Sequence, residues 1–222
     1  PSPAGDLRFE CSDWLPDPRE ITPSLQSADP WIEQGFDVKA DLDAMCSTFI
    51  VQALKELGWA PGPYRPVSAD GLVDSLHIRE NYVPFVERCL EILEEDGILR
   101  SADGGREFIR FPPSADPGDR WKSILARFPA YYAEMILVER CGRQLAGILK
   151  GEIDPWRLLF PEGAMTTGEH LYQDSPSFLP SNHLVRDALS SAVHRLSPGR
   201  KLRVIEIGAG TGGLTYHVLS EL

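Results

Sequence analysis

Apolar residues recur at helical spacing from Asp41 onward: Leu42, Met45, Cys46, Phe49, Ile50, Ala53, Leu54 and Leu57. Spacings of three and four place them on one face of a helix, and Gly58 supplies its stop. The Pro/Gly loop "WAPGPYRP" follows, then a short helical stretch around Asp74–Glu80. A stronger helix is predicted from about Val83 to Glu95, with Val83, Val86, Leu90 and Leu93 on one face and Gly97 as its end. "GILRSADGGREFIRF" alternates around an Asp-Gly-Gly turn and predicts a β-hairpin. Beyond "PPSADPGDR" a helix is expected near Asp119, and another from Pro129 toward Gly151 with Glu139, Arg140 and Arg143 outward. A helix from about His183 to Leu196 is expected next, capped by Ser181 or Asn182 and burying Val185, Leu189, Val193 and Leu196. "SPGRK" closes it. Residues 1–35 are rich in Pro, Ser and Asp and read as a linker anchored by Trp14 and Trp31.

Helix, helix, hairpin is the order of a winged helix, which raises nucleic-acid binding as a possibility to weigh. Charge argues against it. The chain carries 22 Lys and Arg against 33 Asp and Glu, a net −11, whereas phosphate binding needs clustered cations. Glu87, Glu91, Glu94 and Glu95 would set carboxylates on the candidate recognition helix. A packing module is the better reading, with no nucleic-acid partner. The apolar runs are too short for a membrane span, and the first residues are neither a signal peptide nor an initiator Met. The missing Met suggests a piece of something longer. The four cysteines, Cys11, Cys46, Cys89 and Cys141, form no CxxC pair, so neither a metal site nor a disulfide framework is expected. Cys46 and Cys89 fall on apolar faces, and a reducing, cytoplasmic setting follows.

The chemistry gathers in "KLRVIEIGAGTGGLTYHVLSEL". Leu202, Val204, Ile205 and Ile207 suit a buried parallel strand, Glu206 is the one charge inside it, and "LTYHVLSEL" begins a helix. Tight turning and close approach of a ligand both call for absent side chains. Gly208, Gly210 and Gly213 satisfy GxGxxG, the dinucleotide fingerprint. Gly208, Gly210 and Gly212, with Glu206 two residues ahead, satisfy the ExGxGxG pattern of a site for S-adenosylmethionine (SAM). A carboxylate would repel a pyrophosphate but suits a cationic sulfonium with an amino-acid tail. Glu206 therefore favours SAM.

"ERCGRQLAGILKGEIDPWRLLFPEG", "LYQDSP" and "RVIEIGAGTGG", in that order, resemble the carbon-methyltransferase domain of modular type I polyketide synthases, over roughly residues 40–222. "CSDWL" resembles the linker leading into such domains. The resemblance implies a mostly α lid, winged-helix-like in part with a β-hairpin, then the first strand and helix of a Rossmann-like α/β core. The implied organisation is a linker over 1–35, a helical lid over 36–158, and the lid-to-core connection with the start of a truncated SAM core over 159–222. It implies SAM as cofactor, and as partners neighbouring synthase domains and an acyl carrier protein bearing a β-ketoacyl chain on phosphopantetheine, methylated at its α-carbon. Glu206, Gly208, Ala209, Gly210, Thr211 and Gly212 would bind SAM. Tyr172 resembles an active-site tyrosine with a positioning role. Phe160 would wall the pocket or pack the core, and Asp174 and Pro176 would shape a turn. The family's base is a histidine supported by an acid and lies beyond the glycine loop. None of His77, His170, His183, His194 and His217 matches it, so no base is assigned. A SAM core needs further strands. Whether they belong to a longer chain, come from a second polypeptide, or were lost in a degenerate methyltransferase kept as a structural module stays open at this stage.

Overall fold

The computed structural model describes residues 17–62, 65–112, 116–161, 165–196 and 203–222. Within helix α1 the side chains of Pro18, residues 21–22, 24–34 and Phe36 lie outside the description, and so do Trp14, Cys11, the "CSDWL" run, "SPGRK" and Leu202. The chain divides into two compact units, 36–168 and 1–35 with 169–222.

In the first unit, the later part of α1 (Pro18–Glu56) carries apolar side chains on two faces. Val38, Met45 and Phe49 join Ile124, Phe128, Tyr131 and Met135 in one core cluster. Ile50, Ala53 and Leu54 join a larger cluster built from the helices and hairpin that follow. Each buried Leu or Ile contributes about 1.5–3 kcal/mol, so the periodic face seen from Asp41 is what seats this helix. The short helix α2 (Ala69–Leu76) starts earlier than the expected Asp74–Glu80 stretch, because the Ser68 side chain accepts from the Gly71 N–H and caps it. It ends at His77, which is left-handed with φ 57°, and Glu80–Tyr82 form a separate 3-10 turn. Helix α3 (Val83–Glu95) matches its expected bounds and buries Val86, Cys89, Leu90 and Leu93.

Strands β1 (Leu99–Ala102) and β2 (Gly105–Phe108) form the expected antiparallel hairpin, with Leu99 opposite Phe108 and Ala102 opposite Gly105. Its arginines are engaged. Arg106 bonds Glu87 and Glu94 of α3 at 2.8 Å each, and Arg100 bonds Glu107 at 2.6 Å. Arg88 spans Glu91 and Glu95 at 2.8 Å each. The acidic face of α3 thus serves to hold the hairpin.

Helix α4 (Pro117–Arg127) is capped by Asp116. The helix expected from Pro129 to Gly151 is broken. A 3-10 turn at Pro129–Tyr131 leads into α5 (Tyr132–Arg143), and α6 (Leu145–Lys150) follows after Gln144, closing at left-handed Gly151. Arg140 does not point freely outward, since its guanidinium donates to the Leu158 carbonyl at 2.9 Å. Helix α7 (Pro155–Leu159) is short and capped by Asp154. Phe160, which follows it, stacks on Trp156 with centroids 5.6 Å apart.

The second unit departs more from expectation. Residues 18–35, expected as linker, continue α1 despite Pro23 and Pro30. Glu20 accepts from Ser191 at 2.5 Å and pairs with Arg195, so tertiary contacts override local composition. Helix α8 (Thr166–Asp174) stands where only turn signals are legible. Helix α9 (Leu179–His194) starts four residues early, so Ser181 and Asn182 lie inside it and do not cap it. Val185, expected in the core, is 45% exposed. Residues 203–207 run without a strand partner among the described residues, and Ile205 and Ile207 are 85% and 94% exposed. The expected strand is unpaired and its apolar side chains are uncovered. Helix α10 (Gly213–Leu219) closes the chain's last described segment.

Candidate cofactor loop and its surroundings

The glycine loop leaves the 203–207 segment and enters α10 through three left-handed residues. Gly208, Gly210 and Gly212 have φ of 79°, 57° and 79°. Any side chain there would be strained. Among the described residues, its chain neighbours aside, none comes within 4 Å of where a Cβ on Gly208 would stand, so that part of the loop is uncovered by them. Gly210 meets only the Gly208 carbonyl oxygen at 3.8 Å. Ala209 is exposed between them. The Thr211 hydroxyl is buried and has no hydrogen-bond partner among the described residues.

Gly213 does a different job. A Cβ on it would lie 2.7 Å from the carbonyl carbon and oxygen of Tyr172 and 3.0 Å from the Gln173 nitrogen. It is a packing glycine that lets α10 approach α8. The competing GxGxxG spacing therefore includes one residue whose smallness is explained by protein contact alone, while Gly208, Gly210 and Gly212 share the left-handed geometry. His217 adds a second tie through Nε2, 2.8 Å from the Gln173 carbonyl oxygen. Its ring meets His183 of α9 edge-on with centroids 5.2 Å apart. Burial holds the His183 imidazole below its ordinary pKa, and the nearby Arg186 and His217 add to this against Asp187.

Tyr172 lies beside the end of the loop through its backbone. Asn182, buried in α9, donates its amide to the Tyr172 carbonyl at 2.7 Å. Tyr172 is 46% exposed, and its ring packs edge-on against Phe178 at 4.9 Å between centroids. Glu206 is exposed and accepts a hydrogen bond from the Thr215 hydroxyl. The sequence reading missed Thr215, Asn182 and Gln173. A hydroxyl two residues past the last glycine is a faint signal for the first; nothing local marks the other two. Asp174, expected to shape a turn, ends α8 and pairs with His170 at 3.1 Å on its exposed surface.

Among the described residues no cluster of His, Cys, Asp and Glu could hold a metal ion, and no helix is long and apolar enough to cross a membrane.

No protein-family model matches the chain. It is 28% identical over 193 residues to the non-reducing polyketide synthase dpfgA of Gibberella zeae, covering 84% of this chain and 9% of that protein. Among solved structures it is similar to the CurJ carbon methyltransferase, with 34% identity, a TM-score of 0.80, and coverage of 91% of this chain and 56% of that one. The DszA carbon methyltransferase is 26% identical at a TM-score of 0.72, over 96% of this chain and 55% of that one. The chain thus spans about half the length of the solved domains and about a tenth of the curated synthase. By sequence and by fold it is a relative of the carbon-methyltransferase domains of polyketide synthases.

Proposed function

We propose that this chain is the lid and cofactor-loop portion of a SAM-dependent carbon-methyltransferase domain, acting on the α-carbon of a β-ketoacyl group carried by an acyl carrier protein. In this reading residues 36–158 form the lid and 159–222 lead into the SAM core. Further core strands flank the uncovered 203–207 segment, since a parallel strand of this composition buries both faces.

The observation that carries the reading is the loop itself. Three alternating glycines hold left-handed backbone, and the described residues leave Gly208 uncovered. The exposed Glu206 carboxylate stands ahead of them. That set fits a cationic, phosphate-free cofactor better than a pyrophosphate, which the carboxylate would repel. SAM, when bound, supplies an electrophilic methyl group. Gly208, Ala209 and Gly210 would let it approach the backbone, Thr211 and Gly212 would complete the turn, and Glu206 would face its cationic end. Tyr172 would position substrate or cofactor from the end of α8. The α-carbon lies between two carbonyls, so its proton is acidic enough for an ordinary side-chain base; none is assigned in this chain. Excluding water and aligning the nucleophile would supply further acceleration. The presence of three left-handed glycines favours this reading over a remnant that kept only a structural role, which has no need of an open glycine loop.

The test is methyl transfer by the full-length protein from labelled SAM to a β-ketoacyl carrier protein, read by mass spectrometry of the acyl-phosphopantetheine. A gain of one methyl at the α-carbon is expected. An unmodified acyl group, with SAM and carrier protein in excess, contradicts the proposal.

A further inference from the structure

Thr215 has no part in the chemistry above, yet its hydroxyl makes a contact that crosses the loop. It donates to Oε2 of Glu206, nine residues earlier, linking the segment before the loop to the first turn of α10. The same hydroxyl lies 4.0 Å from where a Cβ on Gly212 would stand, which sets it directly against the loop backbone. In a helix, a threonine hydroxyl commonly turns back to a carbonyl three or four residues earlier. Here it is spent on a carboxylate outside the helix.

Glu206 has no other hydrogen-bond or ion-pair partner among the described residues. Glu206 and both its neighbours are exposed. An exposed glutamate retains most of its rotamer freedom, and ordering it for a ligand costs side-chain entropy. Thr215 can meet that cost in advance because its own helix is held. Gly213 packs on the Tyr172 carbonyl, and His217 is tied to the Gln173 carbonyl at 2.8 Å.

We infer that Thr215 is a positioning residue of the cofactor site: it fixes Oε2 of Glu206 and leaves Oε1 for the cationic amino end of the bound cofactor. The inference rests on the reading of this loop as a SAM site. Thr215 acts through Glu206 and need not touch the cofactor.

The experiment is a double-mutant cycle in the full-length protein, with SAM affinity measured by calorimetry and folding checked by thermal denaturation without SAM. Thr215→Val keeps the shape and removes the donor, and Thr215→Ala removes it without the branched side chain. Each is expected to weaken SAM on the order of ten-fold, the scale of one hydrogen bond to a charged group. Thr215→Ser, which restores the donor, is expected to stay within about three-fold of the unmutated protein. In a Glu206→Gln background the Thr215→Val change should cost little more, because the group it serves is already altered. Two results would overturn the inference while leaving the SAM reading intact: unchanged affinity in both Thr215→Val and Thr215→Ala, or the same loss with and without Glu206→Gln. No SAM binding by the unmutated protein would remove the reading and the inference together.

Discussion

Gly213 shows how much rests on a single missing methyl group. A Cβ there would come within 2.7 Å of the Tyr172 backbone, which cannot swing aside as a side-chain tip could. Gly213→Ala should therefore displace α10 from α8 and cost about 1–3 kcal/mol, the usual scale of overpacking. Thermal denaturation of the full-length protein checks this, and an unchanged melting temperature would show that the approach is looser than described. At this scale the sequence was partly legible. Four glycines and a preceding acid announce a ligand loop. Their spacing cannot say which glycine faces ligand and which faces protein, because that depends on where α8 lies. The roles of Thr215, only faintly signalled, and of Asn182 likewise depend on contacts that spacing does not show. Their partners are Glu206 on the far side of the loop and the Tyr172 carbonyl on another helix.

Among the elements, those with a strong local period were read well. Helix α3 has its expected bounds, and the Asp-Gly turn yields the hairpin. Elements held by distant partners were not. The helical continuation over 18–35 contains Pro23 and Pro30, which argue locally for a linker, but Glu20 bonds α9. Helix α8 lacks a strong apolar stripe, with Gly168 its one fully buried residue. The helices of the 36–168 unit also share an apolar seam with a measurable titration. Burial pushes the Cys46 thiol of α1 from 9.0 up to about 11, with Asp43 and Asp96 adding to this. Burial likewise pushes Cys89 of α3 up to about 12, with Cys46 adding. A folded-state pKa raised above the unfolded one favours the fold while the thiol is protonated. The contribution is intact below pH 9 and is lost as pH climbs through the folded values. Chemical denaturation across pH 8 to 11 should show falling stability, with a shallower fall in Cys89→Ala. Equal slopes in the two proteins would rule out the buried thiol as a source.

At the scale of the molecule, the clearest physical fact is the contrast between its two ends. The 36–168 unit gathers buried apolar residues in two clusters, while Val204, Ile205 and Ile207 stand 50%, 85% and 94% exposed beside the glycine loop. The periodic faces announced the first. The sequence also marked 203–207 as a strand needing neighbours, and the structure shows the same residues uncovered. What composition could not supply was the relation to carbon methyltransferases, which ordered motifs suggested and fold similarity to the CurJ domain supports. The most direct measurement is calorimetric titration of SAM into the full-length protein, beside its Gly208→Val and Gly210→Val variants. Saturable binding of one SAM per domain is expected in the unmutated protein, with at least ten-fold weaker binding in both variants, since each substitution strains a left-handed residue and fills the approach to the loop. Absence of binding in the unmutated protein, or undiminished binding in both variants, would contradict a SAM site at this loop.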